Sequence, residues 1–177
     1  MVFQVAQVNV ARVREPLDRP SMAAFVDGLE PINGLADASP GFVWRLQTDD
    51  GDATALRVFD DDMIIVNMSV WDSVEALREF VFRSEHAGYL RRRSEWFEKL
   101  VEASTALWWV PEGETPTIED AEAKLESLRA RGSTPEAFTL RDAFPHPTNS
   151  GARATGGHEP GDDDAQRRDH DHGHRRP

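Results

Sequence analysis

Asn67–Leu100, NMSVWDSVEALREFVFRSEHAGYLRRRSEWFEKL, is the stretch on which the fold turns. It opens inside Met63 to Trp71, the most apolar strand candidate in the chain and the one expected at the centre of a sheet. Asp72, with Glu75 three residues later, has the spacing of a capping box and starts a helix in which Val74, Leu77, Phe80 and Val81 share a face. The pattern breaks near Arg83-Ser84. Ser84 is placed to cap a second helix, Ser84 to Leu100, which carries His86, three consecutive arginines and Trp96-Phe97.

Upstream, Phe3 to Val10 alternates as a strand, with amides on both faces. Ser21 is placed to cap a helix with Met22, Phe25, Val26, Leu29, Ile32, Leu35 and Ala36 at three- and four-residue spacing; Pro31 should kink or divide it. From Gly41 the period turns to strand through Phe42, Trp44 and Leu46, and Ala53 to Phe59 can return antiparallel to it. The acidic turns at Asp49-Asp50-Gly51-Asp52 and Asp60-Asp61-Asp62 lack the spaced oxygen ligands of a calcium loop and read as solvated turns. Downstream, Ser104 to Pro111 is a strand. Thr117 caps a helix with Ile118, Ala121, Leu125 and Leu128 in one stripe, and Gly132 stops it. Thr134 to Pro147 holds enough apolar residues to dock as an arm.

The expected organisation is therefore one domain, residues 1–147, followed by a Gly/Asp/Arg/His-rich tail, 148–177, expected to be disordered. The element order fits an α+β, ferredoxin-like antiparallel sheet with helices on one face. Apolar residues on both faces of the strands ask for a cover on the second face, and a homodimer pairing two sheets is the simple solution.

The net charge of −12 argues against nucleic acid and anionic membrane as partners, and no run reaches the roughly 18 apolar residues of a membrane span. A chain without cysteine has no disulfide or thiolate metal site and is compatible with the cytoplasm. Against this acidic background, Arg83 to Lys99 is a basic island. The tail segment Asp169-His170-Asp171-His172-Gly173-His174 has metal-ligand types but no supporting shell, so adventitious binding is expected there. No phosphate loop, HExxH motif or GxSxG elbow is present.

Four separated runs, FQVAQVNVAR, INGLADASPGFVWRLQT, IIVNMSVWDSVEALREFVFRSEHAGYLRRRSEWFE and LWWVPEGETPTIEDAEAKLESL, together resemble the bacterial family catalogued as domain of unknown function 3291. That family is placed among dimeric α/β-barrels alongside antibiotic-biosynthesis monooxygenases. The resemblance implies the ferredoxin-like fold, a homodimer and a monooxygenase-like chemistry. A more local similarity joins Trp71, Ser73, Phe80, Arg83, His86, Arg92, Arg93 and Trp96-Phe97 to the haem-dependent spheroidene monooxygenase family.

With His86 set at zero on a helix of 100° per residue, Tyr89, Leu90, Arg93, Trp96, Phe97 and Leu100 fall on its side, while Arg91 and Arg92 point away. His86 and Arg93 are the catalytic candidates. In a haem enzyme His86 would be the axial ligand and Arg93 a propionate or distal partner; in a cofactor-free one His86 would move a proton or position substrate. The plain alternative is a His86 at an exposed helix start, with Arg93 reaching past Trp96 to an acid. Asn9 and Asn67, with Gln7, suggest a polar lining in an apolar cavity that Tyr89 and Trp96 would help enclose, because a buried amide is costly unless partnered. A satisfied structural network is the competing reading. The functional expectation is a monooxygenase-like oxidoreductase acting on a hydrophobic small molecule, with haem or with no cofactor. Its alternative is a non-catalytic small-molecule binder or stress-associated dimer.

Overall fold

The computed structural model describes residues 1–47, 61 and 63–147. The return strand expected over Ala53–Phe59 and the tail 148–177 lie outside them, as do both acidic turns apart from Asp61. The elements run β1 (Phe3–Arg12), α1 (Ala23–Asp37), β2 (Phe42–Arg45), β3 (Ile64–Trp71), α2 (Val74–Arg83), α3 (His86–Trp96), β4 (Thr105–Pro111) and α4 (Ile118–Arg131). All strand pairs are antiparallel and the order is β2-β3-β1-β4, the ferredoxin-like α+β arrangement. β3 is central, as its apolar run requires.

Strand alternation gives the sheet two dissimilar faces. On one, Val5, Trp71 and Leu107 pack with Ala36 of α1, Val74 and Leu77 of α2, and Phe138. Farther along the same face, Val13 packs with Met22 and Trp96, joined by Phe25, Ile65, Tyr89 and Phe97. The other face, with Ala6, Val8, Met68, Val70, Ala106 and Trp108, packs with Ala121, Leu125 and Leu128 of α4. α4 thus packs on this second face, against β4 and β1. Adjacent Trp108 and Trp109 do face opposite ways: Trp108 joins the α4 side, and Trp109 lies toward Phe138 and Phe144. The arm docks beside β4, where Leu107 and Phe138 exchange both backbone hydrogen bonds at 2.8 and 2.9 Å.

Several local expectations change. Pro31 does not divide α1, which runs unbroken through it. Ser21 does not cap that helix: Pro20–Met22 forms a 3-10 turn, and the Ser21 hydroxyl donates to Glu15 instead. The cap of α2 is Ser73, whose oxygen accepts from Ala76 N at 3.1 Å; Asp72 accepts from Gln4 Nε2 at 3.3 Å. α3 begins at His86 with Glu85 as its N-cap and ends at Trp96, short of Leu100. Phe97 turns extended to bridge Val13, and Glu98 N donates to Arg12 O, so pairing with the end of β1 outcompetes another helical turn. The α4 termini are as read. Thr117 and Asp120 form a reciprocal capping box, and Gly132 stops the helix at φ 71°, a conformation suited to glycine.

Candidate functional site

The register lays the helix-bearing face out as rows across the strands, each about 7 Å from the next. At one end is the apolar row Trp109, Val5, Trp71 and Phe42. Next come Leu107, Gln7, Ser69 and Arg45, then Thr105, Asn9 and Asn67, and beyond them Ala11 and Ile65. A polar band therefore crosses the sheet between two apolar clusters. Asn9 Nδ2 donates to Thr105 Oγ1 at 2.7 Å; Ser69 Oγ donates toward Gln7 Oε1 at 3.4 Å and accepts from Trp71 Nε1 at 2.9 Å. Arg45, with a side chain 14% exposed, closes the band at the β2 edge, paired through Nε with Asp37 Oδ1 at 2.8 Å.

Asn67 is the anomaly. It sits in the middle of a central strand, on the face that carries three helices, directly opposite Asn9, and yet it is exposed while Val66 and Met68 on either side are buried. Gln7 and Asn9 are half-buried. Within this polar band, Asn67 is the residue open to solvent.

The flanks are aromatic. Toward one end, Trp71 stacks on Phe80 at 5.1 Å between ring centroids, and Phe80 on His86 at 4.9 Å. Toward the other, Tyr89 lies 5.9 Å from Trp96, and Phe25 packs on both Trp96 and Phe97. Tyr89 takes this position because α1 has glycine opposite it: a Cβ on Gly28 would fall 2.2 Å from Tyr89 Cε1.

His86 is half-buried, with Nδ1–H donating to Val81 O at 3.3 Å, which leaves Nε2 as the ring's free acceptor. Burial holds its pKa below the ordinary value of about 6.5, and the Val81 carbonyl works against that shift. A folded pKa below the unfolded one means that the unfolded chain takes up the proton first as pH falls. The stability His86 contributes is therefore present above about pH 6.5 and lost as pH falls through the folded value. His86→Phe, which keeps an aromatic ring on Phe80, is expected to lose less stability than the native protein between about pH 7 and about pH 5. Urea midpoints at the two pH values check this, and equal losses would count against it.

Arg93 is corrected. Its side chain is exposed, whereas Trp96 is 2% exposed and Tyr89 is half-buried. Contacts to α1 and to the end of β1 turn the buried side of α3 toward Tyr89 and Trp96, away from an axis through His86 and Arg93. Arg92 does point outward, paired with Glu95 at 2.9 Å and lying 4.8 Å over the Trp96 ring. So Asn9 and Asn67 share the polar band, Tyr89 and Trp96 flank one end, His86 approaches the other through Phe80, and Arg93 stands outside. Sequence reading missed Thr105, Ser69 and Arg45, and pairing register is the signal that joins them to the amides.

Two shallow depressions lie elsewhere. One, of about 320 Å³, is lined by Glu85, Gly88, Tyr89, Arg91 and Arg92; the other, of about 400 Å³, by Val10, Ile64, Leu100, Val101, Glu102 and Arg129. Arg92 and Arg129 are already engaged, by Glu95 and by Ala103 O and Glu102. The polar band is the better candidate because it sets several hydrogen-bonding side chains side by side across the sheet, with Asn67 exposed among them. Among the described residues there is no group of three His, Cys, Asp or Glu able to hold a metal ion, and no helix long and apolar enough to cross a membrane.

The family model described as domain of unknown function (DUF3291) matches residues 4–154. The chain belongs to this family. No curated protein matches it. Among solved structures it is similar to SnoaB, a cofactor-independent oxygenase from Streptomyces nogalater, at 19% identity and a TM-score of 0.42, covering 63% of this chain and 95% of that one. It is also similar to Rv0793 from Mycobacterium tuberculosis, at 15% identity and a TM-score of 0.41, over 64% and 99% of the two chains. A dabb family protein with a ferredoxin-like fold from Mesorhizobium loti aligns at 13% identity and a TM-score of 0.39, over 62% and 99%.

Proposed function

We propose that this DUF3291 protein binds a hydrophobic, oxygen-bearing aromatic molecule in the cleft above Asn9 and Asn67 and oxidises it in a monooxygenase-like reaction. The single observation that carries the reading is the exposed Asn67 on the sheet face that bears α1, α2 and α3, beside an Asn9 whose amide is oriented by Thr105. Amide N–H groups held there would stabilise the oxyanion of an ionised phenol or enol as it meets dioxygen, and fixed donors do this without reorganising. Aromatic flanks favour a flat ligand. His86, neutral near pH 7, is placed as the proton acceptor if substrate extends past Phe80.

The haem-dependent form rests on His86 alone: a neutral imidazole with Nδ1 tied to Val81 O suits iron through Nε2, but the exposed Arg93 supplies no partner. The cofactor-free form uses more of what the cleft contains.

Oxygen uptake by the untagged protein with a panel of phenolic and polyketide-like aromatics tests the reading. Protein-dependent uptake supports oxidation; tight binding without uptake would favour the non-catalytic binder. A Soret band on haem addition that disappears in His86→Ala would favour the haem form.

A further inference from the structure

We propose that Gly28 is a positioning residue for ligand size: by giving the Tyr89 ring its seat on α1, it sets how much room an aromatic ligand has between Asn67 and Trp96. This rests on the binding site proposed above and adds to it the contact that limits the ligand. Glycine inside a helix is destabilising relative to alanine, because it gives up more backbone freedom on folding. α1 carries two glycines, and their surroundings differ. A Cβ at Gly34 would meet nothing within 4 Å, whereas one at Gly28 would fall 2.2 Å from Cε1, 2.6 Å from Cζ and 2.6 Å from Oη of Tyr89. The contact is made by the hydroxyl end of the ring, the part that travels farthest when the side chain rotates.

Tyr89 has unlike surroundings on its two sides. Inward, it lies 5.9 Å from the buried Trp96 ring and packs in the cluster that includes Ile65. Ile65 is one row from Asn67 on the same face of β3. Outward, Tyr89 lines the depression of about 320 Å³ with Glu85, Gly88, Arg91 and Arg92. A ring pushed off α1 therefore meets close-packed atoms on the inner side and open space on the outer one. Gly28→Ala would drive it outward and vacate volume beside Trp96, and Tyr89→Ala would empty the same volume directly.

Equilibrium dialysis of the full chain with naphthol and with hydroxyanthracene, a two-ring and a three-ring phenol, tests the proposal. Gly28→Ala and Tyr89→Ala are each expected to shift the ratio of the two dissociation constants by about tenfold toward the larger compound. The double variant should shift it no further than Tyr89→Ala alone, because Gly28 acts through a ring that is no longer there. Tyr89→Phe, which keeps the ring, should recover the native ratio. Tyr89 is the sole tyrosine, so nitration by tetranitromethane reports on its ring directly and should be faster in Gly28→Ala than in the native chain or in Gly34→Ala. An unchanged ratio in Gly28→Ala, whether or not nitration quickens, or shifts that add in the double variant, overturns this proposal alone. Failure of the native chain to bind either compound overturns the site reading and this inference with it. Should Gly28→Ala fail to fold, Tyr89→Ala decides by the same ratio.

Discussion

Asn67→Ala should lower turnover of the aromatic substrate by about 10²-fold while leaving the fold intact, because one preorganised oxyanion donor is worth roughly that much. The split between activity and stability is the informative part. Asn67 is exposed, so its truncation removes little packing and should change the free energy of unfolding by no more than about 0.5 kcal/mol. Steady-state oxygen uptake and urea unfolding on the same preparation measure both. Asn67→Asp should be at least as damaging to turnover, since a carboxylate would repel the developing oxyanion. Undiminished turnover in both variants would mean that the chemistry lies elsewhere.

Trp71→Ala should cost about 3–5 kcal/mol, a large share of the stability of a domain this size. Trp71 is 1% exposed; it meets Phe42 edge-on at 5.3 Å, stacks on Phe80 at 5.1 Å, and donates its indole N–H to Ser69. The cavity would therefore open where β2, β3 and α2 meet. Ser69 would also lose a donor, although it keeps Gln7, and Phe80 would lose the surface that holds it against His86. Trp71→Phe restores the stacking but not the hydrogen bond, and should recover all but about 1–2 kcal/mol. Denaturant titration of the three proteins gives the comparison. A loss under about 1 kcal/mol for alanine would show that this cluster does not anchor the sheet to α2.

The fold was legible wherever a signal is local. Met63–Trp71 announces a central strand by its largely apolar run, and α4 announces both ends through Thr117 and Gly132. The side of the sheet on which α4 lands was not legible: Ala121, Leu125 and Leu128 prove an amphipathic helix and are silent about its partner. At the site, Asn9 and Asn67 stood out as amides on strands, but their direct opposition depends on the β1–β3 register, a long-range pairing. Thr105 and Ser69 are unremarkable polar residues until that register aligns them. The inward placement of Arg93 failed for a different reason. A projection centred on His86 assumes the helix buries the side His86 is on, whereas the Gly28–Tyr89 contact and the Phe97–Val13 bridge set the rotation of α3.

The central claim is that the cleft is open to small molecules above the polar band, and the cysteine-free chain allows a direct measurement. Asn67→Cys and Ser69→Cys each introduce the sole thiol, at two positions on the same strand and face, one exposed and one 7% exposed. Their rates of reaction with a small neutral maleimide should differ by at least about tenfold, Asn67→Cys reacting nearly as fast as a free thiol and slowing when an aromatic ligand is added. Equal protection of the two thiols in the folded protein would contradict an open cleft and the function proposed for it.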